Sequence, residues 1–361
     1  MTNESTHIVA FEVISAETIG NNIITICNNG FSNKKPTIFH EHLIPLGARR
    51  AMSEGWDSIH IPGRNIRIIE LNDVIVGAQG LVLDSQFRVI KETITQHSNA
   101  EIEDFIKRAQ ESSIIEYVQG KFLNLRKRGE QNYGHWLIEC LPKFDYLQQL
   151  DGEVGILAPN LNNQMNLVVD ASLKASGASP DMVILKMERK EIRRFKSLTI
   201  VDGLTHHGTY MAPQVVHFNE RLRAGVKGAG MQKVLLLRDS TTRCISNIEH
   251  LTSALKKLGF SAVNPGQLDW DGQIAALKDA NSIIGVMGAE MTNIVYANEG
   301  ANILNIAPAS MPDTFFHFLS VHKNQTYHEF RCKTEGPIQD RVSPMHVDVD
   351  EICEIVRSLS F

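Results

Sequence analysis

The segment from Gln131 to Lys143, Gln-Asn-Tyr-Gly-His-Trp-Leu-Ile-Glu-Cys-Leu-Pro-Lys, gathers ionisable and aromatic groups where a turn enters a helix. Asn132 is placed to cap that helix and Gly134 lets the backbone turn tightly, while His135 and Glu139 fall at i and i+4 on one face. At that spacing they can hydrogen-bond, and an imidazole oriented by a carboxylate is a competent general base near neutral pH. The same pattern also describes a capped helix whose histidine and glutamate merely pair, and proximity on a helix face does not say which would reach a substrate proton. Leu137, Leu141, Phe144 and Leu147 supply an apolar side that anchors the helix; Pro142 leaves one carbonyl unbonded or bends it.

A second cluster, Gly285-Val286-Met287-Gly288-Ala289-Glu290-Met291-Thr292-Asn293, stands where an apolar strand gives way to a helix. Glycines after a buried strand bring the amides of residues 288–291 close to a ligand, with the positive helix end pointing at it, which suits phosphate. Thr292 and Asn293 offer side-chain donors. The plainer reading is that Gly285 and Gly288 only let helix and strand pack closely, and the pattern is neither G-x-G-x-x-G nor a Walker loop. Arg238, directly after the strand 234–237, and Arg243 with Asn247 farther along the same loop belong to the C-terminal edge of a sheet, where α/β folds bind ligands. An arginine fork suits a diphosphate, although either arginine could pair with Asp239 or Glu249 instead. His40-Glu41-His42 and His206-His207 have no clear further ligand set, so no metal is expected.

The elements that must hold these groups change character along the chain. Up to about residue 125 the pattern gives short strands at 23–27, 66–71, 73–76 and 81–83 and a helix at 100–112. From 133 to 201, buried runs at 155–158, 183–185 and 198–201 alternate with helices. A helical stretch, 213–226, leads into Lys227-Gly228-Ala229-Gly230, placed as an interdomain linker. Beyond it come a strand at 234–237 and a capping box, Ser246 to Glu249, opening a helix that Gly259 closes. A strand at 260–263, a helix at 271–280, a strand at 282–286, a helix from Ala289 and a strand at 301–306 follow. This alternation is what a doubly wound sheet requires. Val349, Ile352, Cys353, Val356 and Leu359 mark a last helix.

With 361 residues and 43% hydrophobic content, the chain has enough material for about two domains of roughly 100–200 residues each, hence a cleft between lobes. A net charge of −5 from 36 basic and 41 acidic side chains scattered along the sequence does not single out nucleic acid as partner. Cys27, Cys140, Cys244, Cys332 and Cys353 form no C-x-x-C pair, which fits a reducing cytoplasm and neither a disulfide framework nor a zinc knuckle. Residues 1–7 lack a cationic region followed by an apolar run, and no segment approaches the roughly 18 apolar residues of a membrane span. A soluble, unprocessed cytoplasmic protein is expected.

N-Y-G-H-W-L-I-E-x-L-P from Asn132 to Pro142, L-L-x-R from Leu235 to Arg238, R-x-x-x-N-x-E from Arg243 to Glu249, and G-x-x-G-A-x-x-T-N from Gly285 to Asn293 together resemble, in order, the motif series of glycosyltransferase family 61. The resemblance covers about residues 125–310. It implies a GT-B fold, two Rossmann-like domains facing each other across a cleft: an acceptor-side domain at 1–215, a nucleotide-sugar domain at 216–335, and a tail with a helix at 336–361 packing across a domain face. It further implies inverting, metal-independent hexosyl or pentosyl transfer, without a cofactor, from a UDP-linked nucleotide sugar to a growing surface glycan such as capsule or lipopolysaccharide. Peripheral association with a polysaccharide assembly complex, and no membrane span, belong to that picture. Carried over, His135 and Glu139 are catalytic, and Asn132, Tyr133 and Trp136 lie on the acceptor side. Arg238, Arg243, Asn247, Gly285, Gly288, Ala289, Thr292 and Asn293 hold the donor. The family's glycine turn usually reads G-x-H-G-A, whereas this chain has Met287 at the histidine position and Glu290 where small residues are common. Those departures motivate the alternative of a catalytically inactive relative that binds glycan or scaffolds an assembly.

Overall fold

The computed structural model describes residues 11–239, 241–337, 340–359 and 361; the N-terminal stretch 1–7, in which no export signal is legible, lies outside the described residues. The fold is mixed α/β. Two compact units share the chain: the first takes 11–27, 65–169 and 176–204, and the second takes 28–64, 170–175 and 205–361.

The first unit is built on one large sheet, in the order Val13–Ile14, Val89–Ile90, Leu81–Leu83, Ile66–Gly77, Arg193–Asp202, Glu116–Asn124, Val154–Pro159, Ile184–Met187, with Asn22–Ile26 also paired to Ile66–Gly77. The last four strands of that order run parallel to one another. Apart from Val13–Ile14 on Val89–Ile90, the other pairings are antiparallel. The sheet is therefore mixed, not the wholly parallel one expected of a Rossmann-like domain. The strands expected at 66–71 and 73–76 are one strand. Asp73 interrupts its pattern at φ 57, and the Arg194 guanidinium steadies the irregularity by donating to both carboxylate oxygens of Asp73 at 2.7 and 2.5 Å.

In the second unit the sheet order is Ser261–Val263, Lys233–Leu236, Ser282–Val286, Asn302–Pro308, Thr326–Cys332, Thr37–Phe39, and every pairing is parallel. Runs such as Ser-Ile-Ile-Gly-Val are apolar throughout because both faces are covered, and every residue of Ser282–Val286 is buried. Leu235, Ile284, Leu304 and Phe330 pack with Leu251 and Leu255 of the helix Ile248–Lys257 and with Ile352 and Val356 of the helix Val349–Ser358. From Lys233–Leu236 the chain steps to Ser261–Val263 on one side, then returns to Ser282–Val286 on the other. The order reverses between Lys233–Leu236 and Ser282–Val286, and their C-terminal ends frame the crevice where open parallel sheets bind ligands.

Three local expectations are corrected. Residues 227–230 are not a slack linker. Ala229 N donates to Ala275 O at 2.9 Å, Gly230 N to Asp279 Oδ2 at 2.7 Å, and a Cβ on Gly228 would fall 2.1 Å from that oxygen. Ser246 forms no capping box, because its hydroxyl is turned to Met345 O at 3.4 Å and His346 Nδ1 at 3.3 Å, and Asn247 occupies the N-cap without a side-chain cap bond. The helix from Ala289 is a 3₁₀ helix, Ala289–Tyr296. Among the described residues no helix is long and apolar enough to cross a membrane.

The second unit is built to lose stability in acid. His317 is buried against Asn33 Oδ1 at 2.9 Å and His322 against Met211 O at 2.8 Å, and burial lowers each from 6.5 to about 4. Between pH 6.5 and about 4 the unfolded chain binds protons that the folded state refuses, so stability falls as pH drops through that window. Urea midpoints measured at pH 7 and pH 5 should show the lower value at pH 5.

Candidate functional site

In the first unit, Asn132 caps the helix as its sequence position predicts: Oδ1 accepts from Gly134 N at 2.9 Å and from His135 N at 3.4 Å. The helix then changes register. An α turn, Tyr133–His135, widens into a π turn, Trp136–Cys140, and tightens into a 3₁₀ stretch, Leu141–Gln149. Pro142 accounts for the widening, since it has no amide to close onto Ile138, and Leu141 N instead bonds Trp136 O, five residues back.

Across that wide turn His135 Nδ1 and Glu139 Oε2 are in direct hydrogen-bond contact, and Lys127 Nζ donates to Glu139 Oε1 at 2.7 Å. The Glu139 side chain has no exposed surface, and the Lys127 side chain is 7% exposed against 22% for His135. Both Glu139 oxygens are thus engaged inside the fold, and His135 is the most exposed of the three side chains. Gly129 matters twice here. It sits at φ +94, and a Cβ would come within 3.0 Å of His135 Cγ, so the imidazole rests against bare backbone. Below lies a second buried pair, Arg126 Nη2 to Glu130 Oε1 at 2.6 Å, and Lys143 Nζ reaches Arg126 O at 3.0 Å. Burial lowers the Lys143 ammonium and pushes the Cys140 thiol up to about 12, so Cys140 is no nucleophile.

In the second unit, Arg238 and the glycine turn occupy the two C-terminal strand ends at the reversal of strand order. Arg238 Nη1 donates to Met287 O at 3.2 Å, and its Nε faces Glu290 Oε2 at 3.8 Å, too far for a hydrogen bond. A Cβ on Gly288 would lie 2.3 Å from Arg238 Nη1, so this glycine is required for the guanidinium to lie against the turn. Gly285 has the plainer role: its Cβ would meet Met291 Sδ at 2.5 Å and Leu236 Cβ at 3.1 Å, so it serves helix-on-strand packing.

Arg243, at φ 56, brings a second guanidinium whose acidity burial increases first and the charge of Arg238 next. The buried Nε atoms of Arg238 and Arg243, Glu290 Oε2 and Thr292 Oγ1 all lack a hydrogen-bond partner. Leaving such a group unmade costs about 1–3 kcal/mol, more when charged. An anion with several acceptor oxygens would satisfy the donors together.

Not every expected residue faces a ligand. Asn247 spends its amide on Val347, donating to O at 2.8 Å and accepting from N at 3.2 Å, so it ties the loop down. Asn293 is fully buried, with Nδ2 directed to Glu290 O at 3.1 Å and Gln273 Oε1 at 3.4 Å. Trp136 is fully buried, and Tyr133 is partly exposed. Ala289 leads the 3₁₀ helix, where its amide and those of Gly288 and Glu290 precede the first bond, Met291 N to Gly288 O at 3.0 Å. Arg238 pairs with Glu290, not Asp239. The sequence reading missed Lys127 and Gly129. Lys127 belongs to a short basic run that looks solvated, and nothing in its spacing announces a partner twelve residues on.

The α/β chain thus carries a parallel sheet with a cationic, hydrogen-bond-deficient turn at its switch point, and a separately built His–Glu–Lys constellation. The family model described as glycosyltransferase 61 matches residues 133–304, a span that starts at Tyr133 and takes in the whole glycine turn. Over that span the chain matches glycosyltransferase family 61, a family of sugar-transferring enzymes. No curated protein matches the chain significantly.

Replacing Lys127 by Met would leave a buried carboxylate short of its cation, a change that costs about 3–5 kcal/mol in comparable pairs. The K127M/E139Q double variant should recover part of that loss. A double-mutant cycle on urea unfolding measures both.

Proposed function

We propose that the protein is an inverting, metal-independent glycosyltransferase that moves a hexosyl or pentosyl group from a UDP-linked nucleotide sugar to a growing surface glycan of the capsule or lipopolysaccharide kind. The observation that carries the donor half of this reading is the pair of buried arginine Nε atoms without acceptors at the switch point of the parallel sheet. A diphosphate supplies acceptor oxygens and charge for Arg238 and Arg243, with the amides of residues 288–290 completing the cradle. Thr292 Oγ1 adds a donor.

For the acceptor half, His135 is the base, acting through Nε2, the nitrogen that Glu139 does not engage. Glu139 fixes the tautomer with the proton on Nδ1 and stabilises the imidazolium once it forms, while Lys127 holds Glu139 in place. The acceptor hydroxyl gives its proton to Nε2 as its oxygen attacks the anomeric carbon, and the bond to the diphosphate breaks with its electrons going to the leaving oxygen. Developing negative charge on the diphosphate is met by Arg238, Arg243 and the helix-leading amides. One displacement inverts the anomeric centre. A GT-B arrangement, a cytoplasmic setting and peripheral association with a polysaccharide assembly complex complete the proposal.

A second reading, an inactive relative that binds glycan, draws on Met287 and Glu290. Met287 is 1% exposed and offers no donor where family members usually have histidine, and Glu290 brings a carboxylate to the anion site. Turnover separates the two readings. Removing a general base typically costs about 10²–10⁴-fold, so His135→Asn should lower kcat by that factor with donor binding unchanged, measured as nucleotide release from a nucleotide-sugar panel. EDTA should leave wild-type turnover intact. A wild-type protein that binds glycan but releases no nucleotide favours the inactive relative.

A further inference from the structure

We infer that Glu290 is a built-in competitor for the donor's phosphate and so sets how much negative charge a ligand must carry to bind. The inference rests on the donor-site reading above and adds a residue with the opposite sign of effect.

The Glu290 carboxylate stands beside Arg238 Nε at 3.8 Å, with side-chain exposures of 20% and 9%. Neither atom of that pair makes a hydrogen bond. The contact is a charge pair that has lost water without gaining a bond, the arrangement in which desolvation rivals the Coulombic gain. A Cβ at position 288 would fall 2.3 Å from Arg238 Nη1 and 2.9 Å from Glu290 Oε2, so guanidinium and carboxylate converge on the ground that glycine leaves open at the head of the turn. That ground also adjoins the helix-leading amides.

Charge balance points the same way. Arg243 is close enough for Arg238 to disfavour its charge, and Glu290 and Asp313 are the acidic groups that offset this. With two guanidiniums and two carboxylates the site is close to neutral. A phosphate arriving beside Arg238 meets the Glu290 carboxylate at short range, and repulsion drives Glu290 from the guanidinium. A pyrophosphate, which presents several charges and can fork onto Arg238 while reaching Arg243, offsets the loss of the Glu290 contact. A single phosphomonoester, with fewer charges and oxygens to reach both arginines, does so less well. Glu290 therefore separates diphosphate ligands from monophosphate ones.

Calorimetric titration of the full chain with inorganic pyrophosphate, nucleoside diphosphates and nucleoside monophosphates tests this, using wild type, Glu290→Gln, Arg238→Met and the R238M/E290Q double variant, each checked for cooperative unfolding. Glu290→Gln should bind diphosphates about tenfold more tightly, the modest end of what a juxtaposed like charge costs. It should also narrow the gap between diphosphate and monophosphate, and the gain should vanish in the double variant. Unchanged or weaker binding by Glu290→Gln, with binding lost in Arg238→Met, overturns the competitor role and leaves the donor site standing. If wild type and Glu290→Gln both ignore every probe, the donor-site reading falls and takes this inference with it. Binding by Glu290→Gln alone supports both.

Discussion

Two guanidiniums withdrawn from water without enough acceptors are the constraint around which the second unit is organised. Arg238 stands two residues past the end of Lys233–Leu236, and Arg243 lies on the same loop. The parallel order of the sheet brings the turn after Ser282–Val286 alongside, because these two strands are neighbours where the chain reverses its progress across the sheet. Gly288 then lets the guanidinium rest on backbone. A core packed with Leu235, Ile284 and Leu304 holds the strand ends rigid, so the deficit in hydrogen bonds cannot relax by small shifts of the backbone. On the proposed reading, a bound anion would remove it.

The first unit solves the opposite problem, a carboxylate buried among groups that compensate it. Glu139 is satisfied by Lys127 on one oxygen and His135 on the other, and the wide turn ahead of Pro142 sets the spacing at which this occurs. A buried ion pair is weak evidence for stability, since well-packed apolar residues often do as well. On the proposed reading its part is to orient the partly exposed imidazole: a fixed carboxylate fixes the tautomer.

Legibility followed the range of the interactions. Asn132 as helix cap, the His135–Glu139 contact and the parallel alternation from Lys233 to Pro308 were all readable because caps, i to i+4 pairs and apolar runs are local. The strand Thr37–Phe39, which completes the second unit's sheet beside Thr326–Cys332, was not, since nothing in residues 28–64 encodes a partner nearly three hundred residues away. The failed capping box at Ser246 has the same cause: Met345 and His346, remote in sequence, claim the hydroxyl. Nothing near Asn247 in the sequence announces that Val347, a hundred residues on, engages its amide. Lys127 escaped notice because arginine and lysine runs are usually solvated, and only the tertiary fold buries this one.

The central claim, that the switch-point turn holds a nucleoside diphosphate, is tested most directly by hydrogen–deuterium exchange of the full chain with and without that ligand. Protection concentrated in the peptides spanning 237–243 and 286–293 is the predicted result. Saturable binding whose protection lies elsewhere, with those two segments unchanged, would contradict it.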